Sequence, residues 1–131
     1  MRLIPLFTAL AFAPHRALAD AGTGAPVAPS PSGPVLEVVR FRLTKGASQS
    51  AFMRAAEATQ APLRQQPGFV ARQLVCDATG LWTDLVTWRD SGAAEAGASA
   101  MMADPAFGPF MALIEGATVE MSHPLLMMRM D

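Results

Sequence analysis

The distribution of apolar and polar residues along the chain predicts four strands. Each segment is rich in β-branched, aromatic or other large apolar residues, a composition that suits a pleated, half-buried surface. Asp77 and Gly80 are the first and last residues of a four-residue link typical of a type I turn, so the second and third strands form an antiparallel hairpin. Pro124 has no N–H to donate, which predicts a bulge, a strand start or an edge position in the fourth strand. The predicted strands are Val35–Leu43, Phe69–Asp77, Leu81–Arg89 and Val119–Met130.

Apolar residues at spacings of three and four predict two helical regions. The first begins at Ser48, a residue type that caps helices, and Pro62 is expected to kink or shorten it. The second covers residues 91–115, with a bend at Asp104 because Asp104 precedes a proline and has the sequence of a new helix start. The order of elements is therefore β-α-β-β-α-β.

This order is that of the ferredoxin-like fold, an α+β arrangement of a four-stranded antiparallel sheet with both helices on one face. Alternation along the first strand places Val39 and Phe41 on one face and Leu36 and Val38 on the other. The fourth strand is also apolar on both faces. A sheet that is apolar on both faces needs cover on both, and the helices cover only one. We therefore predict a homodimer in which two sheets pack face to face.

The amino-terminal segment differs in composition from the rest of the chain. Residues 1–19 contain Arg2, a mostly apolar run and an Ala-Leu-Ala ending, which is the layout of a cleavable secretory signal and is too short to span a membrane. Residues 20–34 are dominated by Pro, Gly, Ser and Ala, which predicts a disordered linker. The folded domain is then residues 35–131 of a periplasmic or secreted protein. The alternative is a wrongly assigned start codon upstream of a cytoplasmic domain.

The charge balance excludes some classes of partner. The whole chain has a formal net charge of −1 and no basic cluster, which argues against binding to nucleic acid or, after signal cleavage, to a membrane. Cys76 is the only cysteine, so an internal disulfide is excluded, and a small buried hydrophobe is favoured over a reactive thiol. No metal site is predicted, because His123 has neither a cysteine nor paired carboxylates near it in the sequence.

The third strand carries the first group of candidate site residues. Alternation places Trp82, Asp84 and Trp88 on one face, where two indole rings flanking a carboxylate would form a flat aromatic site. The alternative is that both tryptophans anchor the core and that Asp84 pairs with an arginine such as Arg40 or Arg72.

Two further candidates lie on the first and last strands. His123 is a candidate general base, because histidine as a residue type has an unperturbed pKa near neutrality, or it is a hydrogen-bonded histidine at an interface. Glu37 lies on an otherwise apolar strand face, where a carboxylate is costly to bury unless it is paired. Glu37 is therefore either the acid of a pocket or half of a buried ion pair.

Three features together resemble the antibiotic biosynthesis monooxygenase-like family of dimeric α/β barrels. They are Pro67-Gly68-Phe69 at the start of the second strand, Trp88-Arg89-Asp90 at the end of the third, and the alanine-rich helix that follows. The resemblance covers residues 35–131 and implies a dimer that binds a small hydrophobic or aromatic molecule. Relatives include monooxygenases that act on aromatic polyketides without a cofactor, haem-degrading enzymes and proteins of unknown role.

The chain departs from the family at residues that matter for chemistry. The helical segment Ala93–Ala103 has no histidine where family members often carry one, and the chain contains no Asn and no Tyr. These absences argue against haem degradation and remove residues that the polyketide-oxidising relatives use.

Two functional hypotheses follow. In the first, the protein is a monooxygenase-like enzyme without a cofactor, which binds a planar aromatic or polyketide-like molecule between the sheet and the helices. Trp82, Trp88 and Arg40 would bind this substrate, and a proton would be moved by one of three residues: His123, Asp84 or Glu37. In the second, the chain is a non-catalytic periplasmic module of the same fold that binds a small molecule or dimerises.

Overall fold

The computed structural model describes residues 33–131. The expected signal peptide and all but the end of the expected linker lie outside the described residues. The strands are β1 (Val35–Phe41), β2 (Phe69–Cys76), β3 (Trp82–Trp88) and β4 (Glu120–Ser122). The helices are α1 (Gln49–Ala58), α2 (Gln60–Arg64), α3 (Ser91–Ala103) and α4 (Phe107–Ala112), and a single 3₁₀ turn, Gly116–Thr118, precedes β4.

The four strands form one antiparallel sheet in the order β2-β3-β1-β4. Two sequential neighbours, β2 and β3, form the predicted hairpin, while β1 lies between β3 and β4. The alternating burial of β3 shows that one face of the sheet carries the core. The predicted α+β, ferredoxin-like fold is confirmed.

The turn between β2 and β3 has the predicted geometry. Gly80 adopts a φ of 83° and donates its N–H to the carbonyl of Asp77 at 3.2 Å. The Asp77 carboxylate also accepts from the backbone N–H groups of Thr79 at 2.8 Å and of Leu81 at 3.0 Å. A side chain that satisfies backbone donors in this way fixes the turn, and the turn fixes the register of the hairpin.

The first helical region is divided in two, as Pro62 predicted. Ser48 caps α1 by accepting the N–H of Ala51 at 3.1 Å. The break falls at Thr59, between α1 and α2. A proline ring clashes with the carbonyl four residues earlier, which here belongs to Ala58, the last residue of α1. Pro62 therefore accounts for the end of α1 four residues before its own position.

The second helical region also consists of two pieces, with the bend at the predicted residue. Asp90 caps α3 by accepting the N–H of Ala93 at 2.8 Å, and α3 ends before Asp104. The Asp104 carboxylate accepts the N–H of Ala106 at 2.8 Å in the turn that leads into α4.

The fourth strand is much shorter than the predicted segment Val119–Met130, and that prediction of its length is wrong. Only Glu120–Ser122 pairs continuously with β1. Pro124 cannot donate to the ladder, and beyond it a single bridge joins Leu125 to Val35. Pro124 lies two residues beyond the end of β4, which is a terminal strand, so the edge position is the one of its three predicted positions that the structure shows. Three methionines after the bridge are almost fully exposed: Met127, Met128 and Met130.

The prediction that Cys76 is buried is also wrong, because its side chain is exposed at the end of the edge strand β2. The half-buried residues on the sheet face away from the helices include Leu36, Val38 and Leu85. Within the described part of the chain, no helix has the length and apolar composition needed to cross a membrane.

Two clusters of buried side chains lie between the sheet and the helices. Trp88 is at the centre of the first cluster and Phe52 at the centre of the second. Gly97 of α3 lies so close to the Trp88 ring that a Cβ atom at this position would overlap it. Gly68 has a φ of 82°, and a Cβ there would overlap the side chain of Ala93. These two glycines bring α3 close to the sheet at one end of the molecule.

Candidate functional site

A cavity of about 330 Å³ lies between the helix-facing side of the sheet and the helices. Val39 and Val86 line its floor at the middle of the sheet, while Phe107 and Phe110 of α4 line the opposite side. This volume is at the small end of the range for ligand pockets in proteins. The walls are mostly apolar, and a few polar side chains converge on them.

The polar residues of the floor lie at its two sides because of the strand pairing. Val86 of β3 pairs with Arg72 of β2 on one side and with Glu37 of β1 on the other. Since Val38 pairs with Ser122, the β4 neighbour of Glu37 is His123. The floor therefore has polar groups at both edges and a valine strip between them.

Arg72 and Asp84 form a closely bonded ion pair at one side of the cavity. Arg72 donates from Nε to Oδ1 of Asp84 at 2.9 Å and from Nη2 to Oδ2 at 2.7 Å. Both side chains are almost entirely buried, with 13% and 11% exposed. Of the alternatives for Asp84, pairing with Arg72 is confirmed. This two-point contact uses both carboxylate oxygens and holds the pair in one geometry.

Arg72 also joins the sheet to the first helical region. Its Nη1 donates to the hydroxyl of Thr59 at 2.7 Å, and Thr59 in turn donates to the carbonyl of Ala56 at 2.6 Å. The guanidinium lies 5.5 Å from the centre of the Phe110 ring. Every guanidinium nitrogen therefore has a partner, so the arginine serves as an anchor between β2, β3 and the helices.

A β-bulge is the reason that Arg72 faces the helices. Phe69 pairs with Trp88, but the register shifts by one residue between Phe69 and Ala71, so that Arg72 comes to lie opposite Val86. Without the extra residue, strict alternation would direct Ala71 to the helices and Arg72 to the other face.

Glu37 and His123 form a looser pair at the other side of the cavity. His123 Nε2 lies 3.7 Å from Glu37 Oε2, and the two side chains are 21% and 15% exposed. Glu37 Oε2 accepts no hydrogen bond from any residue between 33 and 131. Both residues line the cavity. Glu37 therefore lies both at the cavity and beside a basic side chain, the positions that its two interpretations require.

The two tryptophans lie in different surroundings. Trp88 lines the cavity and is 1% exposed, and its Nε1 donates no hydrogen bond to the described residues. Trp82 does not line the cavity; its ring packs edge-on against Phe52 with the ring centres 4.7 Å apart. Trp82 and Trp88 lie on the same face of β3, as predicted, but of the two only Trp88 lines the cavity.

Arg40, the remaining residue expected to bind substrate, lies away from the cavity. Alternation places it on the opposite sheet face, paired with Thr83 and Glu120, and its side chain is exposed. The structure thus brings Glu37, Asp84, Trp88 and His123 around one cavity and leaves Trp82 and Arg40 outside it.

Sequence reasoning missed the contribution of α3 to the cavity. Glu95, Ser99 and Met102 line the cavity at spacings of four and three, which puts them on one face of the helix. The sequence signal for this contribution was the occurrence of Glu95, Ser99 and Met102 on one helix face within an alanine-rich segment. Within residues 33–131, no group of three or more His, Cys, Asp or Glu side chains is arranged to hold a metal ion.

The architecture is the fold of the antibiotic biosynthesis monooxygenase domain. The solved structure of SnoaB from Streptomyces nogalater, described as a cofactor-independent oxygenase, is 25% identical in sequence, with a TM-score of 0.53. The match covers 76% of this chain and 96% of that chain.

Similar structures from other bacteria share the fold at lower identity. A candidate antibiotic biosynthesis monooxygenase from Caulobacter crescentus is 15% identical, with a TM-score of 0.59, and the match covers 74% of this chain and 92% of that one. Another from Chloroflexus aurantiacus is 13% identical, with a TM-score of 0.58, covering 76% and 98%. No protein-family model and no curated protein matches the sequence. These likenesses establish the fold, so any reaction has to be argued from the residues around the cavity.

Proposed function

We propose that the protein is an oxygenase that works without a cofactor on a planar aromatic or polyketide-like small molecule bound in the cavity. The observation that carries the proposal is the pair of Glu37 and His123 at the edge of an otherwise apolar cavity of about 330 Å³. A proton acceptor beside an apolar, ligand-sized space is the minimum that such chemistry requires from a protein. The structural likeness to SnoaB, described as a cofactor-independent oxygenase, is consistent with it.

The shape of the cavity suits a flat ring system. Phe107 and Phe110 lie on the helix side, and Trp88 adds the largest aromatic surface to the sheet side. Aromatic side chains bind flat ligands through large apolar contact areas and edge or stacked ring contacts. A ligand of two or three fused rings would bury most of its surface in a pocket of this size.

The pair of Glu37 and His123 supplies the base. His123 accepts a proton from an acidic C–H or phenolic O–H of the ligand, and the Glu37 carboxylate 3.7 Å away stabilises the imidazolium that results. Asp84 is not assigned this role, because both of its oxygens accept hydrogen bonds from Arg72.

The reaction with oxygen then depends on the substrate. The deprotonated ring system is a delocalised carbanion, which transfers one electron to O₂. Recombination of the two radicals forms a C–O bond and, after protonation, a hydroperoxide. Loss of water from the hydroperoxide leaves a carbonyl, so a ring CH₂ and O₂ become C=O and H₂O. The protein holds the ring, removes the first proton and keeps bulk water from the carbanion.

Oxygen uptake with anthrone as the substrate tests this function. The wild-type protein should consume oxygen well above the rate of anthrone alone, and His123→Ala should lower the protein-dependent rate about 100-fold, as expected for loss of a general base. Ser122→Ala is the matched control, because Ser122 is the exposed neighbour on the other sheet face and should leave the rate unchanged. Equal rates for wild type and His123→Ala would remove His123 from the reaction.

A second candidate is a non-catalytic module that binds the same class of ligand. It is favoured by the absence of Asn and Tyr from the sequence, since these residues serve the polyketide-oxidising relatives. Binding of anthrone-like molecules without oxygen uptake would support the module and contradict the oxygenase.

We also propose that the working form is a homodimer joined through the sheet face opposite the helices. Leu36, Val38 and Leu85 on that face are apolar and only half-buried in the single chain. Burial of this apolar surface by a second sheet would remove it from water. Leu85→Asp should give a monomer in size-exclusion chromatography with light scattering, while a wild-type monomer would contradict the proposal.

Export is proposed from the sequence of residues 1–19. Amino-terminal sequencing of the protein from its native host tests it: a chain that begins at Asp20 supports cleavage and a periplasmic or secreted location, and one that begins at Met1 contradicts it.

A further inference from the structure

The charge of the cavity restricts the ligands that it can hold, and this restriction rests on the proposed use of the cavity as the ligand site. Three carboxylates line it, from Glu37, Asp84 and Glu95. The basic groups among its lining residues are one arginine, Arg72, and one histidine, His123. The lining therefore contains more acidic than basic side chains.

The arginine of the cavity is already paired with a carboxylate. Its Nε and Nη2 donate to Asp84 at 2.9 and 2.7 Å, and its Nη1 donates to Thr59 at 2.7 Å. A ligand carboxylate could bind Nε and Nη2 in the same two-point geometry only by displacing Asp84, which would leave a buried carboxylate without its cation. Such an uncompensated buried charge is strongly unfavourable.

The two remaining carboxylates lie on different walls. Glu37 lies on the sheet side, 15% exposed and next to His123. Glu95 lies on α3, on the same helix face as Ser99 and Met102, and is exposed where the cavity meets solvent. An anion in the cavity would face Glu95 on the helix side and Glu37 on the sheet side, and apolar walls screen such repulsion less than water does.

We propose that Glu37 and Glu95 make the cavity selective for uncharged or cationic aromatic molecules and against aromatic carboxylates. The same carboxylates would accept hydrogen bonds from ligand hydroxyl or ammonium groups. Glu95 is then a residue that determines specificity without taking part in the proton transfer assigned to Glu37 and His123.

Isothermal titration calorimetry with three ligands on one ring system tests this selectivity. The probes are 2-naphthalenemethanol, 2-naphthylmethylammonium and 2-naphthoate, which differ in charge and little in size. The wild-type protein should bind the alcohol and the ammonium at least about tenfold more tightly than the carboxylate. Glu95→Gln should reduce this ratio, and Glu37→Gln combined with Glu95→Gln should reduce it further.

The control is Glu115→Gln, which removes one negative charge from an exposed residue that does not line the cavity. It should leave the ratio unchanged. Binding of the carboxylate as tightly as the alcohol, or an equal effect of Glu115→Gln and Glu95→Gln, would overturn the proposal.

The result of this calorimetric test can be distinguished from the result of the oxygen-uptake test. The predicted order of affinities without oxygen uptake would support the selectivity and contradict the oxygenase. Oxygen uptake with anthrone but no discrimination against 2-naphthoate would contradict the selectivity alone. If none of the three probes binds, the selectivity is overturned and the cavity loses its place as the ligand site.

Discussion

The cavity has two acid–base pairs at opposite sides of its floor, and they differ in how completely they are bonded. Arg72 and Asp84 make two hydrogen bonds to each other, and Arg72 makes a third to Thr59. Glu37 and His123 approach only to 3.7 Å, outside hydrogen-bond distance. Two short hydrogen bonds make the first pair a structural support, whereas two partners that are not hydrogen-bonded to each other, beside an apolar space, can exchange a proton with a ligand.

The difference follows from the physics of burying charge. Removing charges from water is costly, and only good geometry with further hydrogen bonds offsets the cost. Arg72 and Asp84 meet that condition. Glu37 does not, since its Oε2 accepts no hydrogen bond from any residue that the structure describes. Glu37 Oε2 can therefore accept a hydrogen bond from a ligand bound in the cavity.

The largest effect is expected from breaking the well-bonded pair. Arg72→Met leaves the buried carboxylate of Asp84 without its cation and removes the link to Thr59, so the free energy of unfolding should fall by about 3–5 kcal/mol. Urea unfolding measures this loss. The control is Arg54→Met, which changes an exposed arginine of α1 and should shift stability by less than about 0.5 kcal/mol. Equal losses in both variants would show that the Arg72–Asp84 pair is not a structural support.

A smaller effect is expected from moving the wall of the cavity while both pairs stay intact. Gly97→Ala places a methyl group against the Trp88 ring, and overpacking of this kind costs about 1–3 kcal/mol. Thermal unfolding and ligand affinity should both decrease. Gly108→Ala is the matched control in α4, because nothing lies within 4 Å of its Cβ, and it should be neutral or slightly stabilising. A stable Gly97→Ala with normal affinity would show that α3 is free to move away from the sheet.

The smallest effect concerns an exposed carboxylate that is also well bonded. The Thr79 hydroxyl, helped by the backbone N–H groups of Leu81 and Thr79, lowers the pKa of Asp77 below 3.8. A lowered pKa in the folded state means stability that is present above pH 3.8 and is lost as the pH falls through the folded value. The stability gap between wild type and Asp77→Ala should therefore narrow as the pH falls below the ordinary pKa of an aspartate, about 4, in urea titrations. A gap that widens on acidification would contradict this sign.

Local features of the fold were predictable because each depends on a few neighbouring residues. The turn from Asp77 to Gly80, the cap at Ser48 and the bend at Asp104 all follow from short sequence signals. The length of the last strand was not predictable from apolar content. Pro124 interrupts its pairing, and the methionines that follow are exposed at the end of the chain.

The site was predictable only in part, because its geometry depends on pairing between distant strands. Alternation along β3 correctly grouped Asp84 with Trp88. The bulge in β2 made Arg72, and not Arg40, the partner of Asp84, because it changes the sheet face of every later residue in β2. The sequence contains no clear sign of this bulge. The contact between Glu37 and His123 required the register of β1 and β4, and the role of α3 required its position over the sheet.

Oxygen uptake per folded molecule, measured side by side for Glu37→Gln and Asp84→Asn, tests the contrast between the two pairs most directly. Glu37→Gln should unfold within about 1 kcal/mol of wild type, because no hydrogen bond to Oε2 is lost, yet its turnover of anthrone should fall about 100-fold. Asp84→Asn should lose stability and retain most of its turnover per folded molecule. Loss of turnover in Asp84→Asn with normal turnover in Glu37→Gln would contradict the account.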